Sequence, residues 1–297
     1  MSLTRREFLA TTAAATIAGP SLAADKPKPL VLVAGTPSHG AGAHEFNAGV
    51  QLLAKCLKEV RELDIRVVLN GWPKNESVFD GAAGILIYAD GGAGHPAIQK
   101  DRLTFLGGLM SKGVGLMCAH YGVEVPKEKG GKEFQDWIGG YYESGWSVNP
   151  IWRPEFQQFP RHPIANGLKP FTAEDEWYFN MRFRADMKGV TPILTATPSD
   201  KTRDGPYVYP KGPYKHIQEA KGNPEHMMWA VERDDGGRGV GFTGGHFHTN
   251  WQNDNFRKAA LNALVWICKV DVPANGVESS VSEDEIKQNL DPKPGKN

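Results

Sequence analysis

The sequence has little cysteine: Cys56, Cys118 and Cys268 are the only three in 297 residues, and they lie far apart. An odd, scattered set excludes the dense disulfide framework of a small secreted scaffold. Each sits in an apolar pattern, so buried thiols are expected. A Cys56–Cys268 bridge is the one pairing an oxidising compartment would allow. Charge of one sign is missing too, since 34 basic residues meet 34 acidic ones and no basic block occurs. That argues against nucleic acid and anionic membrane surfaces as partners. A dinucleotide fingerprint and a P-loop lysine are absent, so Asp90-Gly-Gly-Ala-Gly94 reads as a tight crossing of the chain. Nicotinamide- or flavin-dependent chemistry loses its main support with them. No internal repeat is found.

What is present begins with an export signal. Thr4-Arg-Arg-Glu-Phe-Leu9 is a twin-arginine pattern, followed by an alanine-rich run from Ala10 to Gly19. Ser21-Leu-Ala23 then places small residues at the −3 and −1 positions of a cleavage site. The run is too short and too alanine-rich to anchor in a bilayer, and its first cysteine lies far beyond the cleavage site. The expected division is a signal peptide over 1–24, one α/β domain over 25–272 and a polar, proline-containing tail over 273–297 without fixed structure. The expected destination is the periplasm or the exterior.

Strands and helices alternate through the first half. Strands are predicted over Leu30–Ala34, Ile65–Leu69, Gly84–Tyr88 and Val114–Cys118, with helices over His44–Val60 and from Pro96 to Ser111. Later come a strand over Ile193–Thr197, a hairpin of Met227–Glu232 and Gly239–Thr243 around Asp-Asp-Gly-Gly, and a closing helix over Asn253–Lys269. Asp200–Pro224 reads as a surface lid or excursion. This alternation predicts a three-layer α/β fold whose mostly parallel sheet is flanked by helices.

The stretch that narrows the chemistry is Val114-Gly-Leu-Met-Cys-Ala-His-Tyr-Gly122. A buried strand running into a tight elbow is where many α/β enzymes present a nucleophile. Here the elbow tip is His120, a residue suited to proton transfer or metal ligation rather than covalent attack. Ligands bind outside the carboxyl ends of parallel strands, and His39, His44, His95, His120, His246 and His248 all fall at that predicted edge. His246-Phe-His248 puts two imidazoles on one side if extended, which suits a transition metal. The expected metal set is His44, His120, His246 and His248, with zinc or a similar divalent ion. Glu45 or Glu176 is the expected complementary acid. His39, Tyr121, Glu124, Asp175 and Tyr178 are the expected substrate contacts.

The ordered set of motifs resembles the ThuA-like, trehalose-utilisation family. It comprises Ser38-His-Gly with His44-Glu45, Ala119-His-Tyr-Gly122, His162-Pro-Ile-x-x-Gly-Leu168, Asp175-Glu-Trp-Tyr178, and Gly237-Arg-Gly-Val-Gly-Phe-Thr-Gly-Gly-His246 leading into Phe256-Arg…Ala263-Leu-Val-Trp266. The resemblance runs from about Pro29 to Val270. It implies the fold of class I glutamine amidotransferases, with His120 where their elbow carries cysteine and His246 near their triad histidine. It also implies sugar utilisation, with trehalose-type disaccharides or their 3-keto derivatives as substrates. The expected activity is histidine/carboxylate acid–base chemistry, with or without a metal, leading to isomerisation, elimination or hydrolysis. Two alternatives stand beside it: a noncatalytic carbohydrate-binding or accessory protein, and a hydrolase of the amidotransferase type using Cys118. Self-association into a homo-oligomer is left open.

Overall fold

The computed structural model describes residues 26–293; the twin-arginine segment lies outside them. Seven strands form the central sheet. They are β1 (Lys28–Ala34), β2 (Leu63–Val68), β3 (Gly84–Tyr88), β4 (Gly115–Ala119), β5 (Val190–Ala196), β6 (Glu225–Glu232) and β7 (Arg238–Phe242). Their order is β5-β6-β7-β4-β3-β1-β2. Pairing is parallel from β2 through β1, β3 and β4 to β7, and antiparallel from β7 to β6 and β5. The predicted hairpin is therefore present, and it extends a parallel sheet by an antiparallel edge.

Alternation along each strand divides the core in two. In β1, Leu30, Leu32 and Ala34 face one layer with Phe46, Val50 and Leu53 of α1 (Phe46–Cys56) and with the closing helix. Val31 and Val33 face the other layer, with Leu106 and Met110 of α2 (Arg102–Met110) and Phe134 and Trp137 of α3 (Lys132–Ile138). Both faces are covered, which is why β3 and β4 are apolar throughout and buried at every position. The closing helix α4 (Asp254–Ile267) is capped by Asn253, whose side chain accepts from the Asn255 and Phe256 amides. It lies so close to β4 that a Cβ at Gly115 would stand 2.2 Å from the Ile267 carbonyl oxygen.

Two expectations about irregular segments are corrected. Residues 273–293 are not a loose tail: they run back across the domain, and Val277, Ile286 and Asp291 are buried. Isolated apolar residues in a polar stretch supply the anchors. Asp200–Pro224 is likewise fastened down. It contains short helices at Asp200–Asp204 and Lys215–Glu219, and its Arg203 is buried against Glu225 at 2.8 Å. All three cysteines are free and buried, so the Cys56–Cys268 bridge is absent.

Candidate active site

The loops at the carboxyl ends of β1, β3, β4 and β7 converge on one polar cluster. His120 follows β4 directly and adopts φ +51°, in the left-handed region where a side chain is strained. The elbow's turn is thus made at the histidine itself. Gly122 serves a different need, since a Cβ there would lie 2.9 Å from the Ile87 carbonyl oxygen of β3. His44 ends the loop after β1, at φ +49°. His246 follows β7, and Glu176 comes from a short strand, Asp175–Glu176, paired with Ile151–Trp152.

Four donor atoms face one another. His44 Nε2 is 3.0 Å from His120 Nε2 and 3.1 Å from His246 Nδ1. His246 Nδ1 is 3.3 Å from His120 Nε2 and 2.7 Å from Glu176 Oε2, while His120 Nε2 is 3.5 Å from that same oxygen. All four atoms lie within 4.8 Å of one another. The remaining ring nitrogens of two histidines are fixed from outside. His44 Nδ1 donates to Asp90 Oδ1 at 2.8 Å, and His120 Nδ1 donates to the Thr243 carbonyl at 3.1 Å. Those bonds leave lone pairs on both Nε2 atoms, aimed at each other.

Burial keeps the His44 and His120 rings neutral. It lowers His44 to about 2, helped by His39 and His246, and holds His120 well below the usual imidazole value, helped by His44 and His246. His39 stacks on His44 with ring centroids 3.6 Å apart and is 43 % exposed, which places it at the mouth of the cluster.

Asp175 touches no other side chain of the cluster, yet it shapes the site. Its carboxylate accepts from the amides of Glu176, Gly245, His246 and Phe247 and from Asn250 Nδ2. It therefore folds the loop that carries His246. Burial raises its pKa to about 6 against those donors. Asn149 Nδ2 holds Glu176 Oε1 at 2.8 Å, and Asn149 Oδ1 accepts from the Tyr209 amide.

On one flank stand Tyr178, Tyr121, Tyr142 and Glu124. The Tyr178 hydroxyl is 3.4 Å from His120 Nε2. Tyr142 has a buried hydroxyl with no partner among the described residues. Tyr121 OH and Glu124 Oε1 border the space a side chain at Gly92 would enter, at 3.4 and 3.6 Å. Burial, then the charge of Glu176, lifts the Glu124 carboxyl to about 7, and burial with Glu124 lifts Tyr121 to about 12.

The structure thus unites His39, His44, His120, Glu176 and His246, with Tyr121, Glu124 and Tyr178 alongside. Three expected residues lie apart. Glu45 is buried beneath the loop, accepting from the Gly42 and Asp291 amides, so it organises the backbone and is no partner of His120. His248 is no member of the donor set. The chain turns into a 3-10 helix at that residue, so the extended spacing that would pair it with His246 is lost. It is buried near Ile286, and burial lowers it to about 4. His95 is an internal brace, donating from Nε2 to the Gly122 carbonyl and accepting the Ala97 amide. Sequence reasoning missed Asp90, Tyr142 and Asn149. Only Asp90 had a signal, its position just past a central parallel strand.

The family model described as "ThuA: Trehalose utilisation" matches residues 31–267. Among solved structures, a ThuA-like protein from Bacteroides uniformis is 16 % identical, with 85 % of this chain and 96 % of that one covered at a TM-score of 0.60. A ThuA-like protein from Parabacteroides merdae is 15 % identical, with 87 % and 94 % covered at 0.55. At that identity the likeness concerns the fold. No functionally curated protein matches the chain.

Proposed function

Because the chain belongs to the ThuA, trehalose-utilisation family, we propose that it is an exported sugar enzyme. It acts on a disaccharide or 3-keto-sugar at a divalent-metal centre formed by His44, His120, His246 and Glu176. The observation that carries the metal is the pair of opposed lone pairs on His44 Nε2 and His120 Nε2, 3.0 Å apart. Two unprotonated nitrogens at that distance repel unless a cation lies between them. Zinc bound at about 2.0–2.1 Å in a tetrahedron would set its donors about 3.3 Å apart. Five of the six separations, at 2.7 to 3.5 Å, bracket that value, and the sixth, between His44 and Glu176, stays within 4.8 Å. Three imidazoles and one carboxylate suit zinc or another borderline ion better than calcium or magnesium.

A bound divalent ion would supply Lewis acidity toward a ketone or hydroxyl oxygen of the sugar. The protein supplies the proton transfer. Asp90, Asp175, Glu45 and Glu176 are all engaged with other groups, whereas the Glu124 carboxyl has no hydrogen bond or ion pair among the described residues, its backbone alone being bonded. Its carboxyl is the group free to take a proton from the carbon beside the carbonyl and return it elsewhere on the sugar. Tyr121, Tyr142 and Tyr178 offer hydroxyls for the substrate. Such a step serves isomerisation, or elimination of the glycosidic group.

An assay with 3-keto-glycosides, run on metal-stripped and on zinc-, manganese- or cobalt-loaded protein, tests the reading. Turnover only in a loaded form supports it. No turnover of any keto-sugar by any loaded form would sink it. The amidotransferase-type alternative fails on position: Cys118 is wholly buried within β4, and burial drives its thiol pKa far up.

A further inference from the structure

We propose that the segment from Ile286 to Lys293 is a positioning strap for the metal centre, so that docking of the strap and metal binding strengthen each other. This rests on the metal reading above. The loop from Gly35 to Glu45 supplies His44, the donor that both His120 and His246 face. It carries three glycines and no regular structure, so holding it still costs conformational entropy. His44 also sits in the strained left-handed region. Something must over-determine that conformation.

From the inner side, Asp90 holds the ring and the His246 carbonyl accepts the His44 amide. The segment after β7 adds a bridge from Phe247 to Ala43 and the His248 amide on the Gly42 carbonyl, and the strap supplies the remaining side-chain clamps. Lys293 Nζ donates to the carbonyls of Ser38, Ala43 and His44 at 2.9, 2.7 and 3.0 Å, which uses all three ammonium protons on this one loop. Glu45 Oε2 lies 3.5 Å from that ammonium and accepts the Asp291 amide at 2.6 Å. Its other oxygen accepts the Gly42 amide. The Asp291 carboxylate accepts the Asn47 amide in the first turn of α1, where helix polarity favours an anion. Ile286, 5 % exposed, pins the strap beside buried His248.

Lys293 and Glu45 thus form a buried ion pair against the His44 backbone, which Asp291 joins through its amide on Glu45 while its carboxylate ties the strap to Asn47. Unclamping it frees the loop, and a donor free to wander binds metal more weakly. Linkage makes the effect reciprocal: whatever factor the docked strap adds to metal affinity, bound metal adds to strap docking.

The experiment uses the full chain with zinc alone and needs no sugar. Zinc titrations compare wild type with Lys293→Met and Asp291→Ala, and deuterium exchange follows residues 282–293 with and without zinc. The expected results are a zinc Kd weaker by about tenfold or more in either variant and slower exchange of the strap when zinc is bound. Apo unfolding midpoints of the variants should stay within a few degrees of wild type, which separates loop positioning from general destabilisation. Should Lys293→Met fail to fold, Lys293→Arg serves in its place, with an expected affinity between wild type and Asp291→Ala. Zinc affinity within twofold of wild type, or strap exchange indifferent to zinc, overturns the strap while leaving the metal centre standing. A wild type that binds no zinc overturns both.

Discussion

His44 Nε2 and His120 Nε2 point at each other across 3.0 Å, each ring having its second nitrogen already committed, one to Asp90 and the other to the Thr243 carbonyl. Asp90 therefore decides which nitrogen of His44 is presented. Asp90→Ala removes that decision and lets the ring present its other tautomer. Metal affinity is expected to fall by about 10- to 100-fold with the fold intact. Zinc titration with circular dichroism as a control checks it; an unchanged affinity would show that Asp90 does not orient the donor.

Glu124→Gln keeps the shape of the flank and removes the carboxyl that can carry a proton. The expected loss in kcat on a keto-sugar is about 10²- to 10⁴-fold, with zinc content unchanged. Steady-state kinetics beside metal analysis makes the distinction. A parallel loss of zinc would mean that Glu124 helps bind the metal instead.

Acid should destabilise this protein through its buried histidines, an effect that the raised carboxyls of Glu124 and Asp175 oppose. Burial lowers His95 to about 4, whereas an unfolded chain protonates histidine near 6.5. Between those values the unfolded state binds the extra proton, so stability falls as pH falls, by on the order of 1 kcal/mol per pH unit for this residue. Below about 4 both states carry the proton and the loss levels off. His44, His120 and His248 shift in the same direction and steepen the slope. Urea unfolding of apo protein from pH 7 to pH 4.5 measures it. His95→Gln should flatten the curve, and an equal slope in that variant would count against the assignment.

Gly115→Ala probes the packing of α4 on the sheet. The new methyl would meet the Ile267 carbonyl at 2.2 Å, against backbone that cannot turn aside. A stability loss of about 1–3 kcal/mol is expected from the forced shift. A thermal midpoint equal to wild type would show that the helix floats on β4 rather than being seated there.

Cys118→Ala should leave turnover and zinc binding unchanged, and the folded protein should resist thiol alkylation at that position, because the side chain is fully buried in β4. Activity lost in this variant without loss of fold would revive the thiol chemistry set aside above.

The fold was open to reading because its signals are local and repeated. Leu30–Ala34, Gly84–Tyr88 and Gly115–Ala119 are short apolar runs bounded by turns, and the sheet needs both faces buried at each. The gathering of His44, His120 and His246 followed from one positional rule about parallel strands. That rule failed for His95 and His248 because it places residues at an edge and does not aim their side chains. His95 turns inward to brace Gly122, and the 3-10 helix beginning at His248 turns that ring away from His246. Glu45 was misassigned because its neighbours Gly42 and Asp291 are backbone amides, one of them 246 residues away. Polar composition concealed the docking of residues 273–293, since composition averages over the buried anchors Val277 and Ile286.

The donors His44 and His246 are 202 residues apart in sequence, and His120 and Glu176 lie between them on different elements. An ion bound there would act as a covalent staple does, tying four distant segments that the unfolded chain cannot bring together. Its binding energy then becomes folding energy. The thermal midpoint should climb with the logarithm of free metal once that exceeds Kd, as RT ln(1 + [M]/Kd) requires. Durability of the fold would then track the supply of metal ions around it as well as its own sequence.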